Sequence, residues 1–270
     1  MNPHDANLPP RPRGRGIYLL PNLFTTAGLF GGFFAIIAAS QGRFEAACLA
    51  IFIAGVLDGI DGRVARLTNT QSEFGVQYDS LADLISFGMA PALVMYHWSL
   101  ASMKLDGLTA GKLGWLVAFL YAACAALRLA RFNSQVANVD KRWFIGLASP
   151  AAAALMASFV WTSHDLGLQG AELRYPALAV TIVAALLMVS RIRYNSFKGS
   201  GSGPKSDRVP FAAMLLALAV LVALVLDPPK MLLAVAVVYA LSGPLLWFRR
   251  RKLSGQDPSP QDPSPQDPTG

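Results

Sequence analysis

Residues 58–83 read DGIDGRVARLTNTQSEFGVQYDSLAD. Four aspartates, Asp58, Asp61, Asp79 and Asp83, fall in this stretch of a chain that is 54% hydrophobic and only 14% charged. The first pair is spaced i,i+3 and the second i,i+4, so on helices each pair shares a face. Ionisable side chains at membrane depth are costly and usually mark a path for substrate or ion. Four carboxylates brought together repel one another unless cations lie between them, and hard oxygen ligands of this kind suit Mg2+ or Mn2+.

Outward from that stretch the 270-residue chain is organised in long apolar runs. A soluble domain would carry roughly 25% charged residues. Runs at about 17–40, 44–62, 80–98, 113–130, 143–162, 175–192, 209–226 and 231–248 approach the ~20 residues a bilayer crossing needs. The expectation is an all-α polytopic membrane protein of about eight transmembrane helices. It comprises an arm at 1–16, a catalytic core at 17–198, a loop at 199–208, two further helices at 209–248, and a basic flank with a Pro-rich tail at 249–270. The first run is too long, and lacks the small-residue site, for a cleaved signal peptide. The QDPSP repeats of the tail cannot bury a core.

The net charge of +7 does not point to nucleic acid. With eight spans, eighteen of the 23 Lys and Arg residues fall on the side of both termini and five on the other. The positive-inside rule makes that side cytoplasmic, with anionic lipid as the basic residues' partner. Cys48 and Cys124 lie far apart in apolar runs and read as packing residues. His97 and His164, at outer span ends, have no metal-ligand spacing. Trp98, Trp143, Trp161 and Trp247 lie near span ends as interfacial anchors do.

Span two descends to Asp58 and Asp61, and span three starts back from Asp79 and Asp83. The pairs thus converge within about two helical turns of the inner interface. Gly62 and Ala65 follow on the face of the first pair, where small residues let a bulky ligand approach. Glycines at 59 and 62 cost a helix about 1 kcal/mol each relative to alanine, so space there has a use. Arg66 adds a planar fork suited to phosphate. Carboxylates, divalent metal, small residues and an arginine describe a pyrophosphate site. Helix caps, Asp79 among them, or ion pairs with Arg63 and Arg66 explain one or two of the carboxylates but not four. A cation transporter or a lipid-binding scaffold is a more distant alternative.

These residues resemble the CDP-alcohol phosphatidyltransferase family, whose signature D-x2-D-G-x2-A-R-x8-G-x3-D-x3-D is met by Asp58, Asp61, Gly62, Ala65, Arg66, Gly75, Asp79 and Asp83. Pro21 to Thr25, DSLADLISFGMAPA at 79–92, RLARFN at 128–133, FIGLASPAAA at 144–153 and SRIRYNSFK at 190–198 are similar to the membrane-type phosphatidylserine synthase branch. Ala148 departs from the proline common in the fifth block. The resemblance implies a six-helix catalytic core, a homodimer, a cavity open to the cytoplasm and a bacterial inner-membrane location. It implies that the four aspartates hold two divalent cations, Mg2+ or Mn2+. Gly62, Ala65, Arg66 and Gly75 would hold the CDP moiety, with Asn22 and Thr25 near the nucleotide and Asp83 as general base.

The implied substrates are CDP-diacylglycerol and L-serine, joined by direct displacement of CMP. A carboxylate is a weak base for an alcohol, so proton removal is expected to accompany attack. No Ser, Cys or His nucleophile accompanies the site. Serine carries a carboxylate of its own, for which Arg128 and Arg131 are the first candidates, with Lys198 and Arg191 behind them. Another acceptor, such as glycerol 3-phosphate, inositol phosphate or choline, is the nearer alternative.

Overall fold

The computed structural model describes residues 19–68, 72–135, 143–195 and 222–254. Helix α1 spans Leu19–Ser40 and α2 spans Phe44–Thr68. Helix α3, Glu73–Asp83, runs through a π-helical segment, Leu84–Met89, into α4, Ala90–Trp98. A 3-10 segment, Leu100–Asp106, precedes α5, Leu108–Gln135. After β1, Trp143–Ile145, come α6, Ser149–Asp165, α7, Arg174–Val189, the strand β2, Arg193–Asn195, and α8, Pro228–Ser254. Apart from connecting turns, the described residues are helical except for the ladder of β1 on β2, which pairs Trp143 with Asn195 and Ile145 with Arg193, antiparallel.

Seven of the eight expected spans correspond to α1, α2, α3–α4, α5, α6, α7 and α8. The span expected at 209–226 lies mostly outside the described residues, of which 222–226 are helical. The arm at 1–16 and the loop at 199–208 also lie outside them, as does the tail beyond 254. Among the described residues three helices are long and apolar enough to cross a membrane, and a fourth if the bent path from Glu73 to Asp106 is one crossing. Helix α2 has the length, at 25 residues, but carries the acidic pair and two arginines. The protein is a helical integral membrane protein.

The expected boundaries shift where local chemistry overrides hydropathy. Helix α2 continues past 62 to Thr68, so Arg63 and Arg66 are helical rather than in a loop. The run expected at 143–162 opens as a strand, and its helix begins only at Ser149. Pro150 suits the first turn of a helix, and Ala148 before that turn is the extended N-cap at φ −61°, ψ 138°. Asp79 caps nothing, because α3 starts six residues earlier, where Ser72 Oγ accepts from the Gly75 N–H at 3.0 Å. Trp98 is a core residue at 7% exposure, edge-on to Phe159, and not an interfacial anchor. His164 packs on Phe44 and His97 on Tyr96, while both cysteines are buried.

The α1–α2 hairpin turns at Gly42, whose φ of 76° costs a glycine little. Its N–H donates to Ala39 O at 3.0 Å and that of Arg43 to Ala38 O at 2.9 Å. Small residues line the interior: Ala35, Ala38, Ala47, Ala90, Ala125 and Ala152 are almost wholly buried. In lipid, close approach of this kind supplies the packing energy that the hydrophobic effect supplies in water. One close approach is at Gly32, where an added Cβ would stand 2.6 Å from Ser86 Oγ and 2.7 Å from its Cα. That contact clamps α1 onto the π-helical segment, and Ser86 Oγ donates to Gly28 O at 3.1 Å. On the opposite side the fully buried Tyr121 of α5 donates its hydroxyl to Phe87 O at 3.2 Å. The wider π turn is thus held from both flanks immediately after Asp83.

Candidate active site

Helices α1, α2 and α3 and the π-helical segment enclose a cleft of about 190 Å3, counting its open mouth. Asp58, Asp61, Asp79 and Asp83 line it, with Thr25, Gly28, Ala54, Ala82, Ser86 and Phe87. The helical spacing works as expected. One carboxylate oxygen each from Asp58, Asp61 and Asp79 lies within 4.8 Å of the others. Asp83 joins them from the next turn, lining the same cleft. Carboxylates gathered this closely repel one another unless a proton or a cation lies between them. Asp61 lies seven residues from the end of α2 and Asp79 six from the start of α3. Both are therefore about 10 Å from the helix ends, at 1.5 Å per residue.

None of the four carboxylates is paired with Arg63 or Arg66. The ion pairs among the described residues are Arg174 with Asp106 and Lys230 with Asp227, both outside the cleft. The cluster therefore gathers hard oxygen donors that no ion pair among the described residues takes up. Its make-up fits a divalent cation, with Asp58, Asp61 and Asp79 the group able to hold one.

Asp61, 4% exposed, is held from α1: Thr25 Oγ1 lies 2.8 Å from Asp61 Oδ2 and 3.1 Å from Pro21 O. Thr25, itself buried, has a carboxylate of the cluster as its side-chain partner. Asn22 stands beside Gly75, its Oδ1 3.6 Å from where a Cβ at 75 would be. Tyr78 and Thr26 share a 2.9 Å hydrogen bond, which fastens α3 to α1 one turn further on. An added side chain at Gly59 would meet nothing within 4 Å, and at Gly62 only Arg66 Nη2, at 4.0 Å. Packing within the protein therefore calls for neither glycine. Arg66 is exposed, its Nε donating to Gly62 O at 2.7 Å, and Ala65 is half-buried on the same helix.

Arg128 comes to the site from α5. It stands within electrostatic reach of Asp83, Tyr239 and Tyr121, and its Nη1 donates to Ser149 Oγ at 3.0 Å. Its Nε is buried without a hydrogen-bond partner. Arg131, one turn on, is half-buried, and its guanidinium forms no hydrogen bond or ion pair among the described residues. Arg191 is exposed, and Lys198 lies outside the described residues. Asn133 Nδ2 donates to Ser80 Oγ at 3.0 Å and ties the C-terminal end of α5 to α3.

Reading the sequence did not single out Ser86, Phe87 or Ser149. Ser149 could have been found, since a serine before a helix-opening proline in an apolar run asks for a polar partner. Ser86 and Phe87 reach the cleft only through the π turn, which no sequence period announces.

The family profile described as CDP-alcohol phosphatidyltransferase matches residues 18–183, the stretch that builds this cleft. The chain is 41% identical over 182 residues to a Helicobacter pylori protein named CDP-diacylglycerol–serine O-phosphatidyltransferase, covering 67% of this chain and 74% of that one. A Mycobacterium leprae protein of the same name is 30% identical over 261 residues, 90% of this chain and 80% of the relative. An archaetidylserine synthase of Methanothermobacter thermautotrophicus is 33% identical over 185 residues, 68% of this chain and 72% of the relative. With the profile spanning more than half its length and the signature aspartates gathered in one cleft, the chain belongs to the CDP-alcohol phosphatidyltransferase family.

Proposed function

We propose that this protein transfers the phosphatidyl group of CDP-diacylglycerol to the hydroxyl of L-serine, giving phosphatidylserine and CMP. The observation that carries the reading is one cleft in which four carboxylates meet, with a partly unpartnered arginine beside the fourth. Relatives named as serine transferases support the choice of acceptor.

Asp58, Asp61, Asp79 and Asp83 would hold two divalent cations, Mg2+ or Mn2+. Such ions, when bound, neutralise pyrophosphate oxygens and stabilise the departing CMP. Gly62, Ala65 and Gly75 leave the nucleotide room, Arg66 and Asn22 bind it, and Thr25 does so from beside Asp61. Asp83 accepts the proton of the serine hydroxyl as that oxygen attacks the phosphorus bearing diacylglycerol. Arg128 and Arg131 receive the serine carboxylate, Arg128 from its place beside Asp83. Holding both reactants in line supplies much of the acceleration. The lipid's acyl chains stay in the bilayer while its headgroup reaches the cleft, about two turns below the inner surface.

Eighteen cationic residues on the side of the site support a reading with the cleft and both termini cytoplasmic, across eight spans of a bacterial inner membrane. The working unit is a homodimer.

Membranes containing the protein, given labelled CDP-diacylglycerol with serine, glycerol 3-phosphate, inositol phosphate or choline in turn, test the acceptor. Serine alone should yield lipid product and CMP; equal turnover with a second acceptor refutes the assignment. Asp83→Asn should abolish CMP release, and full release by this variant removes Asp83 from the mechanism.

A further inference from the structure

Two contacts bracket Arg128 and set its level against the cleft. Tyr121, Ala125 and Arg128 stand at i, i+4 and i+7, on one face of α5. The Tyr121 hydroxyl donates to Phe87 O at 3.2 Å, and a Cβ added at Gly88 would stand 3.1 Å from Ala125 Cβ. On the other side of Arg128, Asn133 Nδ2 donates to Ser80 Oγ at 3.0 Å. Residues 125 to 133 therefore run against 88 to 80, with Arg128 between the two contacts on one strip of helix and Asp83 between them on the other.

A third element reaches the same arginine. The chain leaves β1 through Gly146, in left-handed backbone at φ 80°, where a Cβ would collide with Met188 O. The Gly146 N–H donates to Ile192 O at 2.8 Å and the Leu147 N–H to Leu187 O at 2.9 Å, which fastens this turn to the end of α7. Helix α6 then opens at the fully buried Ser149, whose Oγ accepts from Arg128 Nη1 at 3.0 Å. Ala148 holds the cap position, so the Ser149 hydroxyl serves the arginine and not the helix end. With Nη1 turned to Ser149, the pair of donors left for a planar anion is Nε with Nη2. Nε is buried and has no hydrogen-bond partner. Such a donor is costly unless an acceptor takes it up, and a bound carboxylate would do so.

We infer that Ser149 is a positioning residue, which fixes the plane of the Arg128 guanidinium so that its remaining donors meet the carboxylate of the amino-acid acceptor. This rests on the reading of the protein as a serine transferase with Arg128 at the acceptor. Ser149 touches no substrate and acts through the arginine. An acceptor so held has its carboxylate at Arg128 and its hydroxyl toward Asp83, one level of the bundle serving both ends of the molecule. Without Ser149 the long side chain is free to turn, and the acceptor must pay for ordering it.

Ser149→Ala removes the acceptor atom and leaves a small side chain in its place. In steady-state assays of CMP release by the full-length protein, with thermal unfolding followed alongside, the serine KM should rise about ten-fold, the worth of one hydrogen bond to a charged group. The KM for CDP-diacylglycerol and kcat at saturating serine should stay at their wild-type values, because the acidic cleft is untouched. Wild-type turnover of serine with an unmoved serine KM in the variant overturns the inference alone. An equal rise in both substrates' KM overturns it too, since loosened packing of α6 would do the same. Should the alanine variant fail to fold, Ser149→Cys gives the same reading, because a thiol fills similar space and is a weak acceptor. Wild-type protein that releases no CMP with serine overturns the function itself, and the inference with it.

Discussion

Replacing Thr25 by valine removes one hydroxyl from a buried position and leaves the side-chain volume nearly unchanged. In the native protein Thr25 Oγ1 stands 2.8 Å from Asp61 Oδ2, and Asp61 is 4% exposed, so no solvent replaces the lost donor. A hydrogen bond to a charged group contributes about 1.5–3 kcal/mol. Asp61 would then be free to rotate away from Asp58 and Asp79, whose oxygens it must match to hold a cation. Loss of a partner that orients a metal ligand typically weakens metal binding about 10–100-fold, which is the same energy expressed as affinity. Titration of the detergent-solubilised protein with Mn2+, read by calorimetry and in parallel by CMP release, measures it. Thr25→Val should need about 10–100-fold more Mn2+ for half-saturation in both readouts, and Thr25→Ser, which keeps the hydroxyl, should stay near the wild type. Wild-type Mn2+ affinity in Thr25→Val would refute the reasoning: either Thr25 serves only the nucleotide, or Asp61 is fixed by other means.

Three further outcomes are expected. Gly32→Ala drives a methyl into Ser86 and its backbone, so it should lower stability by about 1–3 kcal/mol, seen as an earlier thermal unfolding in detergent. Tyr121→Phe strands the Phe87 carbonyl in a dry interior and should cost about 1–3 kcal/mol of stability with little change in either KM; unchanged unfolding would mean that the π turn does not depend on that bond. Arg131→Ala should raise the serine KM more than that of CDP-diacylglycerol in the same CMP-release assay, and equal effects on both would count against its place in the acceptor pocket.

The acidic cluster could be read before any coordinates, because helical periodicity alone puts Asp58 with Asp61 and Asp79 with Asp83, and a short inner connection brings the two pairs to one depth. Its metal-binding chemistry follows from the donor atoms. What escaped the reading depends on contacts distant in sequence. The π turn after Asp83 is set by Gly32 from one side and Tyr121 from the other, 51 and 38 positions from Asp83 respectively by numbering. Hydropathy could not distinguish the strand at 143–145 from a helix start, since tryptophan, phenylalanine and isoleucine suit either; its pairing with 193–195 decides it. Trp98 looked like an interfacial anchor from its place near a span end, but Phe159 draws it into the core. Thr25 was placed near a nucleotide by likeness alone, and only the folded chain pairs it with Asp61.

Helices α6 and α7 have 17 and 16 residues. At 1.5 Å per residue they reach about 25 Å, short of the ~30 Å of hydrocarbon in a typical bilayer. Lipids beside them must compress or tilt to avoid baring polar ends, a hydrophobic mismatch relieved by a locally thinner leaflet. Thinning on that flank would lower the phosphate plane toward the carboxylates and shorten the distance a lipid headgroup must sink to react. Reconstitution into bilayers of graded acyl length would then show fastest turnover in the thinner ones, which makes membrane thickness a quiet control on how readily this protein is fed.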